Sequence, residues 1–225
     1  MNSVLSTRNL SSSQLALLAK SGIGMECYDA ILIKLLKAEL PEGFDEYIFT
    51  SKNGVKGYLK NRVPEAENQK KITCYCVGEK TQAFLEEKGL FVAKMTQNSR
   101  ELGDFLVKND KKGPFLVFTG NRNRPELGSK LEEHQIPFRE VLVYETHLNP
   151  KKIEKNFQIL LFYSPSGVQS FVQVNDPKDE TALCIGETTA REARKHFRKV
   201  VVADKPTTDN VIEKLIENFP TLSNA

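Results

Sequence analysis

No apolar stretch in this chain reaches the ~20 residues needed to span a bilayer, and Arg8 with Ser11, Ser12 and Ser13 interrupts any leader-like segment at the start. The expectation is therefore a cytoplasmic protein with no membrane contact. Metal and thiol chemistry have equally little to stand on. The four cysteines, Cys27, Cys74, Cys76 and Cys184, form no C-x-x-C pair and sit in or beside apolar runs, where a thiol acts as a small hydrophobe. His134, His147 and His196 lie in polar surroundings without ligand spacing. No G-x-G-x-x-G signals a dinucleotide. No Lys/Arg block is interleaved with aromatics, and a net charge of +3 is too small to argue for nucleic acid. That balance suits a small anionic ligand in a locally basic cleft instead.

At 225 residues, 40% of them hydrophobic and 27% charged, the chain can form one or two ordinary soluble domains with real cores. Its most informative feature is a repeat. Phe49-Thr50-Ser51-Lys52-Asn53-Gly54-Val55 returns as Tyr163-Ser164-Pro165-Ser166-Gly167-Val168, each copy closing an apolar run and opening an amphipathic stretch. Further along each half, Cys76-Val77-Gly78-Glu79-Lys80-Thr81 is answered by Cys184-Ile185-Gly186-Glu187-Thr188-Thr189. A strand, a polar turn and a helix, given twice, predict two similar α/β domains whose polar turns face one cleft.

Strand-like runs alternate with helical ones almost throughout, the pattern of parallel α/β sheets. A strand at 4–7 precedes a helix that Ser11, Ser12 or Ser13 can cap and Gly22 ends. Strands at 46–50, 72–77, 91–94 and 115–119 alternate with helices near 53–61, 81–88, 99–108 and 124–135. Later come strands at 158–163, 182–185 and 199–203, with helices at 167–173, 189–197 and 208–218. Two longer extended runs, 29–37 and 140–148, bracket the first copy of the repeat. Paired, they form a two-stranded bridge: the chain crosses on one, builds a complete domain over 38–139 and returns on the other. Residues 1–28 then join 149–225 in a discontinuous first domain, because one strand–helix pair is too little to fold alone.

The ordered set of motifs resembles the uroporphyrinogen-III synthase family. It comprises Thr7-Arg8, the turn from Phe49 to Val55, Val77-Gly78-Glu79-Lys80-Thr81, Gly120 with Arg124 downstream, and Val143-Tyr144-Glu145-Thr146. It continues through Ser164-Pro165-Ser166-Gly167, Ile185-Gly186-Glu187-Thr188-Thr189-Ala190 and Lys205-Pro206-Thr207. Each motif is weak alone; in order, they cover essentially the whole chain. The resemblance implies two three-layer, flavodoxin-like domains with parallel sheets, joined by a two-stranded antiparallel β linker, with the substrate in the interdomain cleft. It implies a carbon–oxygen lyase that cyclises the linear tetrapyrrole hydroxymethylbilane to uroporphyrinogen III, inverting ring D and losing water. Neither metal nor organic cofactor is implied. A monomer is expected, and a transient contact with the preceding deaminase is left open. Two positions depart from the family's pattern: Thr119 stands where Arg is frequent, and Asn9 follows Thr7-Arg8 where Pro is usual.

A polycarboxylate substrate calls for anion recognition, and polar turns entering helices supply unpaired backbone N–H groups for it. Thr50, Ser51, Lys52, Asn53, Gly78, Thr81, Gly120, Ser164, Ser166, Gly167, Thr188 and Thr189 occupy such turns or strand ends and are the candidate substrate-binding positions. For each Ser or Thr, a helix cap is the competing reading. Arg8, after a strand end, and Arg124, where a cation opposes the helix dipole, are candidates for carboxylate contact. Tyr144 is the candidate catalytic residue, a phenol able to donate to departing water; its alternative is a half-buried strand tyrosine. A non-catalytic anion-binding module with the same cleft competes with the lyase, and a structural or interaction protein has little support.

Overall fold

The computed structural model describes residues 3–63, 72–123 and 125–218. In chain order the elements begin with β1 (Ser3–Ser6), α1 (Ser12–Lys20), β2 (Gly24–Cys27), β3 (Ile31–Leu35), β4 (Glu46–Phe49) and α2 (Lys52–Asn61). Then follow β5 (Thr73–Val77), α3 (Glu79–Glu87), β6 (Phe91–Thr96), α4 (Ser99–Lys108), β7 (Phe115–Gly120), α5 (Glu126–Glu133) and β8 (Phe138–Leu148). The last are β9 (Ile159–Phe162), α6 (Pro165–Val172), β10 (Thr181–Cys184), α7 (Glu187–Ala193), β11 (Lys199–Val202) and α8 (Thr208–Asn218). Two compact units result: Met1–Leu32 with His147–Ala225, and Ile33–Thr146.

The discontinuous unit carries a five-stranded sheet, β11-β10-β9-β1-β2, with every neighbouring pair parallel. Strand residues point alternately to opposite faces. In β9, Leu160 and Phe162 pack with Val168, Phe171, Ala190 and Ala193 of α6 and α7. Ile159 and Leu161 pack on the other face with Leu18 of α1 and Val211, Ile212 and Leu215 of α8. This is why β9 reads as a continuous apolar run: both of its faces are covered.

The continuous unit repeats the plan. Its sheet runs β6-β5-β4-β7-β8, with β3 added at the edge beside β8. Tyr47, Phe49, Leu116 and Phe118 of β4 and β7 pack with Val55, Tyr58 and Leu85 of α2 and α3. Ile48, Phe115 and Val117 face Leu102, Leu106, Leu127 and Leu131 of α4 and α5. Phe49 and Phe118 stack with ring centroids 4.8 Å apart.

Matched through the repeat, β4, β5, β6, β7 and β8 correspond to β9, β10, β11, β1 and β2. The spatial order is the same in both sheets and only the chain ends are permuted. The sheet of the continuous unit starts at the strand before the repeated turn. The discontinuous unit starts at the neighbouring strand, β1, and reaches the strand before the repeated turn, β9, only after the insertion.

Of the first extended run, 29–37, Ile31–Leu35 form β3; a separate strand, β2, ends before it at Cys27, and Tyr28 and Ala30 donate to the carbonyls of Ser6 and Thr7 in between. The second begins earlier than the sequence pattern suggests. Phe138 to Leu142, and then Tyr144, pair in parallel with β7. The first part of the expected linker strand is thus a strand of the sheet itself, between β7 and β3, held there by the burial of Val141 and Val143 against α2. The backbone N–H of Leu36 donates to Val143 and that of Asn149 to Ala30, each at 2.9 Å.

One asparagine in each unit ties down the segment leading into it. Asn61 accepts from the Ala38 N–H and donates to the carbonyls of Leu36 and Gly57. Asn175 accepts from the Ile153 N–H and donates to Lys151 and Phe171. The same three-bond clamp thus recurs at or just beyond the end of the first helix of each repeat.

Candidate functional site

In both sheets the order of strands switches direction at one place, between β4 and β7 in one unit and between β1 and β9 in the other. Ligands of open α/β sheets bind outside the carboxyl ends of strands at such a switch point. The candidate residues of each half lie mostly there.

In the continuous unit, Ser51 is the N-cap of α2 and accepts from the Gly54 N–H at 3.2 Å. Its hydroxyl also shares a hydrogen bond of 3.1 Å with the Tyr144 phenol. Gly120 is the register partner of Tyr144, reached because β8 gains one residue, Val143, opposite the Thr119–Gly120 step. Such a bulge re-aims a side chain. A Cβ on Gly120 would lie 2.4 Å from the Tyr144 ring, so only glycine admits the ring at this place. Asn121, a residue the sequence reading did not single out, accepts from the Thr146 N–H at 2.8 Å and fixes the strand beyond the tyrosine. Its only sequence signal is its place directly after Gly120. The structure therefore unites three predicted positions, Ser51, Gly120 and Tyr144, around one half-buried phenol.

Thr50 is half-buried just before Ser51. Lys52 and Asn53 form the first turn of α2, and the Lys52 ammonium lies 4.3 Å from the centre of the Phe84 ring. Gly54 lets α2 approach β7, for a Cβ there would meet the Phe118 carbonyl at 2.9 Å. One strand further out, Gly78 caps α3 with φ of +84°, where glycine is favoured. Thr81 is buried two residues into the helix. Arg124 lies outside the described residues. Thr119, at the departure from the family pattern, is buried, and its hydroxyl reaches toward the Val141 carbonyl at 3.4 Å.

In the discontinuous unit, Ser164 caps α6 as Ser51 caps α2, accepting from Gly167 N–H at 3.1 Å, with Pro165 in the first helical turn. Thr7 ties β1 to β9 by donating from both its N–H and its hydroxyl to the Leu161 carbonyl. A Cβ at Gly167 would rest 3.5 Å from the Thr7 and Ser164 hydroxyls. Ser166 is half-buried; Thr188 is exposed and Thr189 buried beside it, behind the Gly186 cap. Arg8 is exposed, with its guanidinium 6.0 Å from the Tyr163 ring. Asn9, where the family favours proline, spends both its N–H and its side-chain amide on the Asp29 carboxylate.

Tyr163 is the second residue the sequence reading passed over, because it entered only as the start of a repeated turn. Its hydroxyl lies 3.4 Å from that of Ser6, and burial pushes its pKa up to about 12. Burial likewise raises the thiols of Cys76 and Cys184 to about 12, which keeps them protonated and unreactive. Among the described residues no three His, Cys, Asp or Glu side chains converge as metal ligands, and no helix is long and apolar enough to cross a membrane.

The arrangement offers a phenol and a serine hydroxyl in contact, and helix N-termini whose dipoles favour an anion. Each exposed helix end contributes ~0.3–1 kcal/mol to holding one. Two solved structures share this architecture. Uroporphyrinogen-III synthetase from Helicobacter pylori superposes with a TM-score of 0.75 at 22% identity, covering 97% of this chain and 100% of that one. A mutant uroporphyrinogen III synthase from the extremely thermophilic bacterium Thermus thermophilus gives 0.66 at 17% identity, over 97% and 98%. At these identities the likeness defines the class of fold, α/β with parallel sheets as in those synthases. The porphyrin biosynthesis protein HemD of Ruminiclostridium josui is 30% identical over 200 residues, 78% of this chain and 39% of that protein. The chain thus spans about two-fifths of that curated relative. The family model for uroporphyrinogen-III synthase HemD matches residues 22–213, and the chain belongs to this family.

Proposed function

We propose that this protein is a uroporphyrinogen-III synthase, a lyase that closes hydroxymethylbilane to uroporphyrinogen III with inversion of ring D and loss of water. The observation that carries the reading is the Ser51–Tyr144 hydroxyl pair seated over Gly120, in a chain of this family. In the proposal the acetate and propionate arms of the substrate are held in a cleft between two flavodoxin-like domains, hinged on a two-stranded antiparallel linker. The turns at Thr50, Ser51, Lys52 and Asn53, and at Ser164, Ser166 and Gly167, take carboxylates on their amides and hydroxyls. Gly78, Thr81, Thr188 and Thr189 shape the neighbouring turns, and Arg8 and Arg124 supply charge.

Tyr144 assists departure of the hydroxyl by donating a proton to the leaving oxygen, with Ser51 orienting the phenol. The pyrrole nitrogen expels the hydroxyl with little further help, giving an azafulvene cation that can also close unaided to the uninverted isomer. The protein's task is then geometric: it directs attack to the substituted carbon of ring D. A hundredfold preference for that closure corresponds to ~2.7 kcal/mol, within reach of substrate positioning. No acid–base pair beyond the phenol is required. We further propose that the protein acts as a cytoplasmic monomer, in transient contact with the deaminase that supplies its substrate. The isomer formed from freshly generated hydroxymethylbilane tests the assignment.

A further inference from the structure

We infer that Phe84 is a positioning residue for substrate binding, acting through Lys52; this rests on the proposed function and extends it to a residue outside the strand-end turns. Lys52 stands in the first turn of α2, where the helix dipole disfavours a cation. A lysine there has a long flexible stem and several accessible rotamers. The structure gives it a definite place: its ammonium sits 4.3 Å from the centre of the Phe84 ring, contributed by α3. Phe84 is half-buried and packs against the core cluster that includes Tyr47, Phe49 and Phe118, so the ring cannot follow the lysine. A second ammonium, Lys88, lies 5.4 Å from the same ring and is neutralised by Glu87 at 2.9 Å. The ring thus holds Lys52, the residue after the Ser51 cap, in one place; its charge also acts on the Glu87 carboxylate, and an incoming substrate carboxylate would share it. Removing the ring leaves the charge but frees the stem.

The contact is tested with Phe84→Leu, Phe84→Tyr, Lys52→Met and the Phe84→Leu/Lys52→Met double variant. Phe84→Leu raises KM for hydroxymethylbilane about two- to fivefold, the equivalent of the ~0.5–1 kcal/mol of an exposed cation–π contact, and leaves kcat unchanged. Phe84→Tyr, which keeps a ring, restores the wild-type KM. In the Lys52→Met background, Phe84→Leu has no further effect. A reading independent of turnover comes from ¹³C-dimethylated lysines. The signal lost in Lys52→Arg is shifted upfield by the ring in the wild type and returns to the bulk lysine position in Phe84→Leu. A Lys52 signal unmoved by Phe84→Leu overturns the inference, as does a KM effect that persists without Lys52. If the wild type yields only the type I isomer, the proposed function fails and the binding role falls with it, while the NMR shift still reports the contact.

Discussion

Ser51 and Tyr144 are 93 residues apart in the chain, yet their hydroxyls stand 3.1 Å from each other. One belongs to the cap of α2 and the other to a strand re-aimed by a bulge, so the pair depends on both elements. If the phenol donates to the departing hydroxyl, Tyr144→Phe lowers kcat by about 10- to 100-fold, at the low end of general acid catalysis because the substrate assists its own ionisation. Unchanged turnover in a steady-state assay removes Tyr144 from the chemistry. Ser51→Ala loses a helix cap as well and lowers stability by ~1 kcal/mol in urea unfolding.

Gly120 carries a sharper test of the same site. A methyl group there would come within 2.4 Å of the Tyr144 ring and must displace it. Gly120→Ala is expected to reduce kcat at least as much as Tyr144→Phe, while circular dichroism shows the α/β content intact. Retained activity would mean that the position of the ring does not matter.

The two asparagine clamps predict an ordered pair of stability losses. All three bonds of Asn61 are partly buried, whereas the bond from Asn175 to Lys151 is exposed. Leaving partly buried backbone groups unpaired costs ~1–3 kcal/mol. Asn61→Ala therefore destabilises more than Asn175→Ala in denaturant melts, and the reverse order would refute the comparison.

Much of this was legible in the sequence, and the reasons are physical. The strands β4, β7 and β9 are covered on both faces, so they appear as unbroken apolar runs. The caps at Ser51 and Ser164 use residue types that favour that position. The partial pairing of β8 with β7 was hidden because Val141, Val143 and Tyr144 fit a bridge strand and a sheet strand equally well. Tyr163, Asn121 and Phe84 escaped because their importance lies in long-range neighbours, Ser6, Thr146 and Lys52, that no local pattern reveals.

The buried thiols give a pH dependence of definite sign. Cys76 and Cys184 are raised by burial from 9.0 to about 12, so the folded protein holds these protons more tightly than the unfolded chain. Stability is then complete below pH 9 and falls as the pH climbs toward 12. Tyr28 and Tyr163, raised from 10.0 to about 12, add to the fall from pH 10 upward. Denaturant midpoints measured across this range should decline, and the Cys76→Ala/Cys184→Ala variant should decline less steeply. A flat profile in the parent protein would contradict the burial of these groups.

The central claim is control over which carbon of ring D is attacked, and the product isomer reports it directly. Purified protein is supplied with hydroxymethylbilane as it is generated, and the oxidised porphyrins are separated by chromatography. Type III porphyrin in excess of the uncatalysed background is the expected result; type I alone would contradict control of the attack.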